Sequence, residues 1–333
     1  MIYDFALEPE LVATWWDPKV WYPVRSQMGL GTRRVPCIFP SASWKKLVMG
    51  ALQKSIPEEE MARWQSARKK MDILLQHLHQ NAARRSGRCA ETESWLDAAV
   101  REHEEFPFGG ILVGTTGLVH THVVAVDKLA DDEHPAWSPP APPVVRQALQ
   151  LAAALAPLLR SAHELRFVDP YFDADDPTFF EPMKAYLEVA QKRRTVGDLR
   201  IQIHFTIGSQ QVAQQSRIER TLLNDETVAR ERLASAERKL SPVLDRRVAA
   251  RVFAWGRDAS GQGMHNRYVL SDLGGVAVQT GLDQDSRGSR RTDDLTVLSK
   301  EQYGARWAEF APEGTTYRRL GEHKFSGAVG DDA

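Results

Sequence analysis

Apolar positions change their period along this chain, and the changes mark its parts. Over Ser41–Leu52, Pro57–His79 and Glu91–Glu104 they recur every three or four residues between charged positions, which predicts three amphipathic helices. In the first of these Trp44, Leu47, Val48 and Leu52 share a face, the pattern of a core stripe. The run Gly109–Val126 reads as two strands turning at Thr115-Thr116-Gly117, and the residues before Ser41 read as an irregular, tryptophan-rich opening. Residues 1–133 are therefore expected to be a mainly helical N-terminal part. His134–Pro143 then places five prolines in ten residues, which neither a helix nor a central strand can carry, so 134–143 reads as an extended connector.

Beyond the connector the period alternates. Val144–Leu159 has helical spacing, and Leu165–Asp169 is a short apolar strand running into Pro170-Tyr171-Phe172. Asp176 reads as a helix cap with Pro177 in the first turn, followed by Phe179, Phe180, Met183, Leu187 and Ala190 on one face. Arg200–Ile207 alternates strictly, with Ile201, Ile203, Phe205 and Ile207 on one side. A charged helix over about 210–240 follows, then strands at Val248–Trp255, His265–Ser271, Val276–Thr280 and Leu295–Leu298, and a last helix near Glu301–Phe310. That order predicts an α/β fold over 144–333, a mixed α+β sheet flanked by helices.

Length and composition narrow the classes. A chain of 333 residues suits two domains, and 43 Lys+Arg against 44 Asp+Glu excludes a globally basic nucleic-acid coat while allowing a local basic groove. No apolar run is long enough for a membrane span, and the start, Met1-Ile2-Tyr3-Asp4, lacks the basic region of a secretory signal. Cys37 and Cys89, far apart and outside any CxxC spacing, predict neither a disulfide framework nor a zinc knuckle. A cytoplasmic protein without membrane contact is expected.

Candidate chemistry concentrates in Met264–Asp272. His265 and Arg267, two apart on an expected strand, would leave the same face. An imidazole beside a guanidinium suits phosphodiester chemistry, one group attacking phosphorus or moving a proton, the other holding the phosphate oxygens. The plain alternative is a half-buried strand histidine. Downstream, Arg287, Arg290 and Arg291 would suit a nucleic-acid backbone or would simply form a solvated loop. His120 and His122 lack the aspartate and the third ligand that a metal site needs, and no cofactor or metal is expected. Gly29-Leu30-Gly31 and Gly109-Gly110 lack the strand-to-helix context and lysine of a phosphate loop.

His265-x-Arg267-x4-Asp272 resembles the HxKx4D signature of the phospholipase D superfamily, with Arg267 where the family has lysine. The resemblance extends over about 160–312. Phe167-Val168-Asp169-Pro170-Tyr171-Phe172 is similar to the strand end that opens each family repeat. Gln279-Thr280-Gly281-Leu282-Asp283 aligns with the family's Gly-Ser-x-Asn element, Thr280 at the serine and Asp283 one residue past the asparagine. Thr292-Asp293-Asp294-Leu295 resembles the acid at the next strand.

The resemblance implies a phospholipase D-like catalytic domain and a metal-independent phosphodiesterase that passes through a phosphohistidine. His265 would be the nucleophile and Arg267 the phosphate clamp, with Asp272 completing the signature. Asp293 or Asp294 would orient the imidazole, and Thr280, Asp283 and the three arginines would meet substrate. A second histidine is then required as general acid. Val119–Asp127 repeats the spacing His-x-basic-x4-Asp, so a degenerate first repeat could contribute His120; the alternative is a homodimer that pairs two copies of His265. The expected substrate is DNA or RNA, in phage defence or restriction and under a recruiting partner protein. A lipid or small-molecule phosphodiesterase and a decayed nucleic-acid-binding subunit are the other readings.

Overall fold

The tryptophan-rich opening supplies the central strand of an N-terminal sheet. The computed structural model describes residues 1–56, 60–90, 92–115, 120–128, 136–137, 142–192, 197–207, 225–285 and 291–328. It divides into two compact units, one essentially Ile2–Ala141 and the other Pro142–Arg193 with Gly197–Ala333. Most of the proline-rich connector lies outside the described residues. The protein is mixed α/β, with sheets flanked by helices. Among the described residues no helix is long and apolar enough to cross a membrane.

The N-terminal unit runs β1 (Tyr3–Leu7), α1 (Pro9–Ala13), α2 (Pro18–Arg25), β2 (Arg34–Ile38), α3 (Trp44–Ser55), α4 (Met61–Asn81), β3 (Ala83–Arg84), α5 (Trp95–Glu105), β4 (Gly110–Val113) and β5 (Val123–Ala125). All five strands are parallel, in the order β3-β2-β1-β4-β5. The helices follow their apolar spacing. Ala67, Met71, Leu74, Leu75 and Leu78 are the buried stripe of α4, and Trp44, Val48 and Leu52 that of α3, while Leu47 is only half-buried. Burying each large side chain contributes about 1.5–3 kcal/mol. Trp44 also donates its indole N–H to the Leu7 carbonyl at 2.8 Å, tying α3 to the end of β1.

Two expectations for this unit change. The strands in Gly109–Val126 are not a hairpin, because β4 and β5 pair in parallel; of the expected turn, Thr116 and Gly117 lie outside the described residues. Nor does the unit repeat the C-terminal architecture, since its sheet is wholly parallel and the other is mixed.

The C-terminal unit runs β6 (Val144–Val145), α6 (Ala148–Ser161), β7 (Glu164–Val168), α7 (Pro177–Gln191), β8 (Arg200–Thr206), α8 (Asp225–Leu240), β9 (Ala249–Asp258), β10 (Tyr268–Ser271), β11 (Gly274–Val278), β12 (Thr292–Asp293), β13 (Leu295–Val297), α9 (Lys300–Glu309) and β14 (Tyr317–Ser326). The sheet order is β13-β11-β10-β7-β8-β9-β14, with β6 and β12 forming a separate antiparallel pair. The cap at Asp176 forms as its spacing implies, the carboxylate accepting the Thr178 N–H at 2.8 Å.

Helices cover both faces of the seven-stranded sheet. Phe167 stacks on Tyr186 of α7, and Arg232 of α8 lies over Phe205. On the other face Arg166 stacks on Trp307 of α9, and Phe310 meets His204 edge-on. The polar alternates of β8 are therefore buried as well as the apolar ones, and each is bonded. Gln202 donates to Glu164 at 3.0 Å, His204 accepts from the Trp255 indole at 3.1 Å, and Thr206 donates to the Trp255 carbonyl at 3.0 Å.

Candidate active site at one edge of the mixed sheet

Strand direction decides which residues can meet. β7, β8, β9 and β11 run one way, while β10 and β13 run the other. The segments after β7 and β11 therefore emerge at the same sheet edge as those leading into β10 and β13. That edge carries Asp169 and Tyr171, Thr280 and Asp283, His265 and Arg267, and Asp293 and Asp294. The carboxyl ends of parallel strands are the usual ligand site of open α/β sheets.

β10 begins at Tyr268, three residues later than expected, so His265 and Arg267 belong to the segment entering it. His265 is exposed and makes no hydrogen bond or ion pair among the described residues. Arg267 is half-buried, with its guanidinium 5.0 Å from the Tyr171 ring centre. Its Nε is buried and has no hydrogen-bond partner among the described residues.

Asp293 is nearly fully buried but does not orient His265. Its Oδ2 accepts from Arg146 Nη1 at 3.1 Å, from the Thr280 N–H at 3.1 Å and from the Thr280 hydroxyl. These donors are set by β12 pairing with β6, which brings Arg146 alongside. Asp294 is exposed. Asp283, half-buried, gives Oδ1 to Arg146 Nη2 at 2.7 Å, and Arg146 also donates to the Thr280 hydroxyl and to the Gly281 and Asp283 carbonyls. Arg146 is thus the hub of a buried cluster that holds three of the expected site residues.

The loop after β11 is pinned from further sides. Leu282 donates its N–H to Asp169 Oδ2 at 2.7 Å and accepts from the Tyr186 hydroxyl at 3.2 Å, so burial keeps that phenol protonated well above its ordinary range. Burial also raises the Asp169 carboxyl to about 6; the Leu282 and Tyr171 N–H groups oppose this, Asp283 reinforces it, and Arg267 opposes it. A cleft of about 540 Å³ opens beside the loop, with Thr178, Thr280, Asp283, Gln284 and Arg291 among its walls. Gly281 has φ +139°, and a Cβ there would run into the Asp283 carboxylate. Gly281→Ala is expected to lower stability by about 1–3 kcal/mol in chemical denaturation, because an L side chain rarely adopts that backbone.

Other expected residues fall elsewhere. Asp272 follows β10 at the opposite end of the sheet, a strand of four residues away from Arg267. There it accepts the His163 and Glu164 N–H groups at 2.9 and 3.1 Å and pairs with His163 Nδ1 at 3.1 Å. Burial opposes its ionisation, but the His163 ring and the two backbone N–H groups hold its carboxyl below the usual range. Its place is in joining β10 to the start of β7, not at the candidate site. Arg291 is exposed, 3.8 Å from Asp285, while Arg287 and Arg290 lie outside the described residues.

His120 is exposed in the N-terminal unit, ahead of β5 rather than on it. Nearby His122 lies 4.0 Å from the His103 ring. Burial, then His122 and Arg85, lower His103 to about 4. Among the described residues no group of three or more His, Cys, Asp or Glu side chains could hold a metal ion.

Sequence reasoning missed Arg146, Tyr186 and the role of Asp169. Arg146 lay inside an expected helix and gave no signal. Asp169 was visible as the residue ahead of Pro170-Tyr171-Phe172.

No protein-family model matches the chain, and no curated protein matches it. Among solved structures, the archaeal chromatin protein TrmBL2, described as showing a novel mode of DNA binding, is similar over 80% of this chain and 82% of that chain. The identity is 11% and the TM-score 0.22, too low to bear on fold or function.

Proposed function

We propose that this protein is a metal-independent phosphodiesterase of the phospholipase D superfamily that cleaves DNA or RNA. The observation that carries the reading is the gathering of His265, Arg267, Thr280 and Asp293 at one sheet edge, in the chain order of that family's site. The His265 imidazole, exposed and without a partner among the described residues, is available to attack. Arg267, half-buried and backed by Tyr171, would supply the cation for the non-bridging oxygens on which charge grows in the transition state.

In the first step an unprotonated nitrogen of His265 bonds to phosphorus, the bond to the leaving oxygen breaks, and that oxygen takes a proton from a second acid. Water then attacks the phosphohistidine. The phosphorus–nitrogen bond breaks, His265 is released and a proton passes to the group that acted as acid. That group is the His265 of a second copy of the chain, which a homodimer supplies by symmetry. Nucleic acid is favoured over a lipid headgroup by the arginine-rich segment ending at Arg291, whose side chain is exposed.

One observation favours a different reading. Asp293 is bonded to Arg146 and Thr280 rather than to His265, as in a site that binds nucleic acid without cutting it.

Cleavage of single- and double-stranded DNA and RNA in EDTA tests the proposal. Wild type is expected to cut at least one of them and His265→Ala none. Binding without cutting supports the second reading, and cutting only with a divalent metal sinks the phosphohistidine route.

A further inference from the structure

Asp169 is used by no step of that mechanism, yet it touches both halves of the edge. It is the first residue past β7 and is 1% exposed. Oδ1 accepts the Tyr171 N–H at 2.9 Å, which closes the turn through Pro170, and Oδ2 accepts the Leu282 N–H at 2.7 Å. The ring of Tyr171 is the surface against which Arg267 rests, and Leu282 belongs to the loop whose Thr280 and Asp283 engage Arg146. Gly281 permits this close approach, since a Cβ there would lie 3.3 Å from Asp169 Oδ2 and collide with Asp283.

We propose that Asp169 is a positioning residue of the phosphodiester site, holding Arg267 in place through Tyr171 and the Thr280 loop through Leu282. The inference rests on the reading of this edge as a phosphodiester site. The charged and titratable groups that face the carboxylate are Arg267 from the segment entering β10, Asp283 from the loop after β11, Tyr186 from α7 and Tyr171 from its own turn. Two backbone donors converge on its two oxygens, an arrangement that suits the ionised form. A proton on either oxygen would confront one of those donors with another donor. Burial places the change between the two forms at about pH 6. The site is therefore fully set above that pH and loosens as the pH falls through it.

The test follows wild type and Asp169→Asn from pH 5 to 8, with a fluorescent single-stranded oligonucleotide in EDTA and with the Arg267 Nε–H resonance, assigned by its loss in Arg267→Lys. Asp169→Asn is expected to lower kcat/KM on the order of 10²-fold, as misplacement of a site by about an ångström does. It is also expected to remove the component of the acid limb near pH 6. The Arg267 resonance is expected to titrate near pH 6 in wild type and to stay fixed in Asp169→Asn. An Asp169→Asn enzyme with the wild-type rate and pH profile overturns the proposal. So does a wild-type Arg267 resonance that ignores pH, a measurement that does not depend on the folding of Asp169→Asn. If wild type cuts nothing, the phosphodiesterase reading fails, and the resonance alone still decides whether Asp169 sets Arg267.

Discussion

Arg146→Ala is expected to destabilise the C-terminal unit by about 3–5 kcal/mol, the cost of removing one partner of a buried charge cluster. The Arg146 side chain is only 7% exposed and Asp293 2%, so the pair sits largely out of water. Alanine would leave the Asp293 carboxylate without its cation, only its Thr280 donors remaining, and would remove donors from the Thr280 hydroxyl, the Gly281 and Asp283 carbonyls and the Asp283 carboxylate. Arg146→Lys keeps the charge but not the fork, and should fall between wild type and alanine. Chemical denaturation followed through tryptophan fluorescence measures both. A loss below about 1 kcal/mol for alanine would mean that the cluster behaves like an exposed ion pair.

His265→Ala is expected to have the opposite profile. The side chain is exposed and bonded to nothing among the described residues, so stability should change by no more than about 0.5 kcal/mol. Metal-free cleavage should fall by on the order of 10⁴–10⁶, as removal of a nucleophile does elsewhere. Asp294→Asn, at an exposed residue beside the buried Asp293, should leave the rate within about twofold, since exposed charges interact weakly through water. Together the variants separate a group that reacts from groups that build the site. A rate retained by His265→Ala would mean that the exposed imidazole is only a surface residue.

The long periodic elements were legible because burial shows in their spacing. α3, α4, α7 and α9 lie close to where their apolar stripes place them. The parallel N-terminal sheet was not legible, because β1, β2 and β3 are short, and strands covered on both sides show no alternation. β4 and β5 looked like a hairpin because sequence proximity says nothing of direction. β14 was missed because its exposed and half-buried residues carry no apolar period.

The site was legible in part for the same reason. His265, Arg267, Thr280 and Asp293 occupy one edge because each lies at a strand end, which sequence can mark. Pairing between distant segments is invisible in one chain. β6 against β12 brings Arg146 to Asp293 across 147 positions and turns the expected orienting acid into part of a buried cluster. Asp272, which the family resemblance made part of the site, is carried by its own strand to the far end of the sheet.

Covalent trapping tests the nucleophile most directly. An oligonucleotide labelled at the scissile phosphate is mixed with wild type in EDTA, quenched in alkaline detergent, and the labelled peptide is mapped. The prediction is an acid-labile, base-stable adduct on His265, absent from His265→Ala. Cleavage that proceeds with no adduct at His265, or only after a divalent metal is added, would contradict it.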